Sequence, residues 1–294
     1  MIFLYLIIVF LAFPFYLYVI ASVITVPLYF KHWYKKHYLP KYSISYEPSC
    51  ILFVPCKGVL DNTYENLTSL LKQDYSHYCT LFIVESTSDP AYALISELCK
   101  KYTRAKLIVS GLAKTCGQKN WGLLQALKHI KDEQIYVFAD SDHKVSTTWM
   151  RRLILPLSDN SITATTSYFT VDIQAQKNFA SNLYLLANFV LLMLLMARNL
   201  IFTYVWGGST AIKREVFEQL NVAAIWEKTI SDDITLSKIL TLNKKNSVFV
   251  PTCLGISKIS GASLRGVIQW FTRQMQYLKI YQTKEWRLVL FQSV

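Results

Sequence analysis

Two acidic pairs stand out for what their carboxylates could do. Asp140-Ser141-Asp142 directly follows the apolar run Ile135-Tyr136-Val137-Phe138-Ala139. Carboxylates at alternate positions on a strand-end turn can hold a hard divalent cation, which in turn holds phosphate oxygens. A polar turn yields the same tripeptide, so the weight rests on its place at the end of a buried strand. The second pair is Asp232-Asp233, preceded by Ser231. Ser231 can cap a following helix whose dipole favours both carboxylates. The chemical alternative is a general base at a helix start, taking a proton from an attacking hydroxyl. Trp206-Gly207-Gly208-Ser209 is either a simple turn or a place where backbone approaches a ligand closely. The six cysteines contain no C-x-x-C pair and join no histidine cluster, which argues against a zinc site and a disulfide framework. No G-x-G-x-x-G or Walker loop occurs.

These residues need a scaffold, and the chain after Pro40 supplies one. Strands are predicted over 50–55, 81–84, 106–110 and 135–139, with helices over 62–71, 91–102 and 118–131 between them. Asn62 and Glu65 have the spacing of a capping box. Apolar runs without alternation, separated by helices, point to an α/β fold with a mostly parallel sheet covered on both faces. Ligands of such sheets bind beyond the carboxyl ends of the strands. Thr210-Ala211-Ile212 is a further strand-like stretch.

The chain has 294 residues, 52% of them apolar, and a net charge of +12. From Ile2 to Phe30 no charged residue occurs, long enough to cross roughly 30 Å of hydrocarbon. No basic residue precedes this run and no small-x-small site ends it, so a retained transmembrane helix is expected rather than a signal peptide. Lys31, Lys35, Lys36 and Lys41 follow it, placing the remainder in the cytosol by the positive-inside rule. The basic residues sit beside apolar and aromatic segments, which suits an anionic phospholipid surface and not a nucleic acid.

Several motifs in order carry a resemblance: Val54-Pro55-Cys56-Lys57-Gly58, Asp89-Pro90, Gly117-Gln118-Lys119, Asp140-Ser141-Asp142, Trp206-Gly207-Gly208-Ser209, Ser231-Asp232-Asp233 and Thr272-Arg273-Gln274. Over about residues 50–282 the chain resembles the ceramide glucosyltransferase family of GT-A glycosyltransferases, particularly its bacterial branch. The resemblance implies a GT-A, Rossmann-like fold and a UDP-sugar donor. Asp89 matches an aspartate near the uridine and Lys119 a lysine near the nucleotide. Asp140 and Asp142 match the holders of Mn2+ or Mg2+ on the diphosphate, and Asp233 the base. Arg273 opens the segment matching the family's (Q/R)-x-x-R-W motif. There the chain departs, with Gln276 and Tyr277 in place of arginine and tryptophan. Tyr277 can still stack on a sugar or acceptor, but glutamine cannot replace arginine's charge on a diphosphate, a duty that then falls to Arg273. The implied reaction is single displacement with inversion, moving a hexose, glucose by default, to a membrane lipid such as ceramide. Diacylglycerol, a hopanoid or a polysaccharide are alternative acceptors, and a non-catalytic nucleotide-sugar binder is the alternative outside the enzymes.

Two more segments bear on the membrane. An apolar helix is expected within 181–205. A single crossing there would put Asp140 and Asp233 on opposite sides of the bilayer, so the helix is expected to be re-entrant or surface-lying. Residues 263–294 mix basic and aromatic residues on an amphipathic pattern, as interfacial helices do. The expected organisation is an anchor and basic flank over 1–40, a catalytic domain over 41–262 and interfacial helices over 263–294. Family members continue into further membrane helices, which this chain lacks or has lost by truncation.

Overall fold

The protein is seen in a computed structural model that describes residues 46–173, 178–199, 203–259, 262–283 and 287, with scattered positions between 13 and 36. Most of the transmembrane helix expected over 2–30 and of its basic flank lies outside the described residues.

Contacts divide the chain into two compact units. The larger comprises residues 41–172 and 198–258. Its first half alternates β1 (Cys50–Pro55), α1 (Thr63–Leu71), β2 (Tyr78–Val84), α2 (Pro90–Lys101), β3 (Ala105–Val109), α3 (Gln118–Leu127) and β4 (Ile135–Ala139). Then come α4 (Trp149–Ile154), β5 (Ile162–Thr166) and β6 (Phe169–Asp172). After α5 (Phe179–Asn199) the unit resumes with β7 (Ser209–Lys213), α6 (Arg214–Gln219), α7 (Val222–Trp226), α8 (Asp232–Leu242), β8 (Asn246–Phe249) and β9 (Gly255–Lys258).

Seven strands form one sheet in the order β3-β2-β1-β4-β7-β5-β8, and β6 pairs with β9 apart from it. β3, β2, β1 and β4 run parallel, whereas β7 is antiparallel to both β4 and β5. The sheet is therefore mostly parallel with one reversed strand. Period-two side chains sort its residues between two cores. Cys50, Leu52 and Val54 of β1 join Leu67, Ile95 and Trp149 on one face. Ile51 and Phe53 join Leu123, Phe217 and Trp226 on the other. The six cysteines are free thiols, and burial pushes Cys50 and Cys56 up to about 12.

Two local expectations are corrected. The capping box at Asn62 does not form: Asn62 makes no side-chain cap, and Thr63 Oγ1 accepts from Leu60 N at 2.7 Å instead. Glu65 is drawn away by Lys144 at 2.6 Å and Lys258 at 2.9 Å. The helix expected to run to residue 131 ends at Leu127, where Lys128 and His129 turn back onto Gln125 and Ala126.

The second unit takes in residues 173–197 and 259–294 together with the amino-terminal segment. In it α5 spans 21 residues and α9 covers Leu264–Tyr281. Tyr184 of α5 meets Trp270 of α9 edge to face at 4.9 Å. The window Phe179–Met196 has a mean hydropathy of 1.9, long and apolar enough to cross a membrane by length and composition. Leu186 and Phe189 of α5, and Leu264, Ile268 and Phe271 of α9, are exposed.

Candidate active site

Strand order decides where the chemistry collects. The chain lays β2 and β3 on one side of β1, then crosses to lay β4 on the other. Loops leaving the carboxyl ends of β1 and β4 diverge at this reversal and open a crevice. β4 delivers Asp140 there. The reversal of β7 brings a third segment to the same end, because Ser209 at its start stands opposite Ala139 at the end of β4. Trp206-Gly207-Gly208 thus arrives beside the acidic turn, and Asp140 N donates to Gly208 O at 3.2 Å.

Lys119 binds the two acidic pairs into one cluster. It sits in the first turn of α3, and its Nζ lies 2.9 Å from Asp140 Oδ1 and 3.0 Å from Asp232 Oδ2. Burial works to lower its pKa, but Asp140, Asp232 and Asp233 outweigh burial and hold the ammonium well above its usual value. Asp232 is pushed up to about 6, first by burial and then by Asp233 and Asp140, against the pull of Lys119. The paired glycines make the close packing possible. A Cβ on Gly207 would overlap Asp232 Oδ2 and stand 2.9 Å from Lys119 Nζ. A Cβ on Gly208 would overlap the Trp206 ring and stand 2.6 Å from Asp140 Oδ2.

Asp233 is held by the cap of α8. Its Oδ1 accepts from Ser231 Oγ and Ile234 N, both at 2.7 Å, and its Oδ2 from Gly207 N at 3.2 Å. Ser231 Oγ also accepts from Ile234 N, so the expected capping serine is present. Capping and the presentation of a carboxylate are one structure here, not alternatives.

Asp142 is exposed, and His143 beside it is wholly buried, with Nδ1 3.2 Å from Asp142 Oδ1. Desolvation works to raise Asp142, but the His143 bond and Lys119 leave it below the usual carboxylate value. His143 stacks on Phe169 at 6.1 Å and leans on Trp206 at 5.5 Å. Its neighbour Gly255 has no room for a Cβ. Ser257 Oγ donates to Asp142 O at 3.2 Å, and Asn66 Nδ2 to Ser141 O at 3.3 Å. Asn66, His143 and Ser257 were not singled out in the sequence; a histidine directly after the acidic turn was the one local signal.

Asp89 caps α2, its Oδ1 accepting from Ala91 N at 2.8 Å and from Gly58 N at 2.9 Å. It therefore ties the loop after β1 to the loop after β2, and Gly58 takes a φ of +67° that suits glycine. Arg273 and Tyr277 lie on α9 in the other unit, Arg273 exposed and Tyr277 half-buried.

Whether the acidic turn fits a divalent cation can be tested on the oxygens themselves. Among the described residues no three His, Cys, Asp or Glu side chains converge as a cage. Asp140 and Asp142 instead offer a carboxylate pair, and the absence of a Cβ at Gly208 lets Asp140 Oδ2 and the Trp206 ring pack closely against it. Hard cations of the Mg2+ type are commonly held by one or two carboxylates plus substrate phosphates, so the donor set fits. The close packing is testable: Gly208→Ala is expected to lower turnover about tenfold or more by displacing Asp140. Steady-state rates on a variant with an unaltered circular dichroism spectrum check this, and a wild-type rate would show the close packing to be dispensable.

Against known proteins, the chain matches the model of glycosyl transferase family 21 over residues 14–258. No curated protein matches it in sequence. Among solved structures it is similar to the mannosyltransferase PcManGT from Pyrobaculum calidifontis in complex with GDP-Man and Mn2+. The TM-score is 0.62 at 17% identity, covering 92% of this chain and 74% of that one. TarS 1-349 from S. aureus in complex with UDP-GlcNAc gives a TM-score of 0.49 at 11% identity, covering 77% of this chain and 66% of that one. The PcManGT likeness shows a shared GT-A fold, and the family match spans most of the chain. This chain belongs to glycosyl transferase family 21 and is a glycosyltransferase.

Proposed function

We propose that this glycosyltransferase moves a hexose, with glucose the first choice, from a UDP-sugar to a hydroxyl of a membrane lipid such as ceramide, with inversion. The observation that carries the reading is the joining of Asp140, Asp232 and Asp233 around Lys119 at the carboxyl ends of the strands. Asp140 and Asp142 would hold Mn2+ or Mg2+; when bound, the cation neutralises diphosphate charge as UDP leaves. Asp89, beside the loop of Gly58, is assigned to the nucleoside, and Lys119 to the nucleotide. Asp233, fixed by three donors, accepts the proton of the acceptor hydroxyl as oxygen attacks the anomeric carbon. Arg273 and Tyr277 are assigned to the phosphates and to stacking.

The lipid acceptor draws support from the second unit. α5 is long and strongly apolar, and α9 exposes Leu264, Ile268 and Phe271 with Arg265, Arg273 and Lys279 exposed on the same helix. Such a pattern suits a helix lying in the headgroup layer. β5 before α5 and β7 after it are neighbours in one sheet, which favours α5 as a surface-lying or re-entrant helix over a single crossing. The division proposed is an anchor over 1–40, a catalytic domain over 41–262 and interfacial helices over 263–294.

Purified membranes offered labelled UDP-sugars and a lipid extract, with and without Mn2+, test the proposal. Metal-dependent label in lipid is expected, and no label under any condition defeats it. In calorimetry Asp140→Ala is expected to lose metal-dependent UDP-sugar binding; undiminished binding removes its assigned role.

A further inference from the structure

Outside the acidic residues, one buried polar side chain lies beside the site: Asn120, one residue after Lys119 and fully buried. Its Nδ2 lies 3.3 Å from Trp226 O, and 3.1 Å from both Thr229 O and Thr229 Oγ1. Three acceptors around one nitrogen fix the amide's orientation. The same helix turn grips the segment at a second point. Gly117 N donates to Thr229 O at 3.0 Å, and a Cβ on Gly117 would stand 2.5 Å from Ile230 O. The segment closes on itself where the Trp226 indole donates to Asp232 O at 3.0 Å. Residues 226–232 are thus moulded against the first turn of α3, the turn that carries Lys119.

We propose that Asn120 is a positioning residue, which sets Asp232 and Asp233 at their places against Lys119 and Gly207 by holding the segment that leads into them. The inference rests on the proposed function of this site for its catalytic consequence, though not for its geometry. Placement explains why a buried amide stands here. A hydrophobic residue would fill the same volume, but would take away the Asn120 bond at Trp226 O, Thr229 O and Thr229 Oγ1, leaving the two carbonyls only their backbone donors Thr229 N and Gly117 N, and would free the segment to shift. Displacement of a reacting group by about 1 Å costs rate about 10²-fold while leaving substrate affinity largely intact.

Two variants reach the segment from different sides: Asn120→Ala removes the hydrogen bonds, and Gly117→Ala pushes on Ile230 O. In both, hydrogen exchange of the full-length protein is expected to quicken over residues 226–233 while the amides of β1 and β4 keep their protection. Turnover is expected to fall about 10- to 100-fold, with KM for the UDP-sugar near the wild-type value. Wild-type exchange over 226–233, or wild-type turnover in a variant whose segment has loosened, overturns the proposal. A parallel loss of KM and kcat with general loss of protection also overturns it, since that is the signature of a merely structural role. If Asn120→Ala does not fold, Gly117→Ala decides the matter alone. Absence of transfer by the wild-type protein defeats the functional reading and leaves the exchange measurement to judge the positioning.

Discussion

Asp233→Asn is expected to lower kcat about 10²- to 10⁴-fold while KM for the UDP-sugar changes little, because a positioned general base is worth about that much. The choice between the two adjacent aspartates is a physical one. Asp232 has a perturbed carboxyl, and a perturbed group in a cleft is an ordinary candidate for a base. Its oxygen is engaged by Lys119 at 3.0 Å, however, and its side chain is only 10% exposed. A hydroxyl arriving from outside would have to displace that ammonium. Asp233 is half-buried, and its partners are neutral donors that orient it without neutralising it. Asparagine preserves the acceptor for Ser231 and Ile234, so the cap of α8 survives. The contact with Gly207 N is lost at about 1 kcal/mol, too little to unfold the domain. Single-turnover rates with saturating donor check the result. If Asp233→Asn keeps more than about a tenth of the wild-type rate while Asp232→Asn does not, the base is Asp232.

Local chemistry made the frame of this site legible in the sequence. β1 and β4 are short apolar runs buried on both sides, and a run of that kind ending in Asp140 needed no distant information. Ser231 could be read as a cap because capping is settled within a few residues. What could not be read were decisions made across the chain. Glu65 had the spacing to complete a capping box, but lysines 79 and 193 residues away hold it. The reversal of β7, which brings Gly207 and Gly208 to Asp140, follows from pairing with β4 rather than from Ser209–Lys213 itself. β8 and β9 are four-residue strands whose residues are in part exposed, with no apolar run to announce them. Lys119 could be noticed as part of a motif. That it lies between two acidic pairs far apart in sequence is a property of the fold alone.

That position also makes the loss of Lys119 costly in stability. Lys119→Met is expected to destabilise the protein by about 2–3 kcal/mol and to abolish transfer. Breaking a fully buried ion pair by removing one partner costs about 3–5 kcal/mol, because the remaining charge is left without water or counter-ion. Here the lysine is 30% exposed, Asp140 29% and Asp232 10%, so solvent screens part of the penalty. Methionine matches the aliphatic stem, which isolates the charge as the cause. The dependence on pH follows from Asp232. Its folded value of about 6 lies above the ordinary carboxyl value of 3.8, so the folded protein holds this proton more tightly than the unfolded chain. The stability it contributes is therefore present below 3.8 and lost as pH rises through about 6. Lys119 opposes that loss, because its ammonium favours the carboxylate. Without it the folded value climbs further and the loss continues to higher pH. The part of the variant's deficit that comes from Asp232 should accordingly be smallest near about pH 4, where that carboxyl is protonated with or without the lysine, and full near about pH 8; the lost pairing with Asp140 adds to it. Urea unfolding of the wild-type and variant proteins at those two values measures it. A deficit independent of pH would mean that methionine disturbs packing rather than charge, and that the ammonium is not what holds Asp140 and Asp232 together.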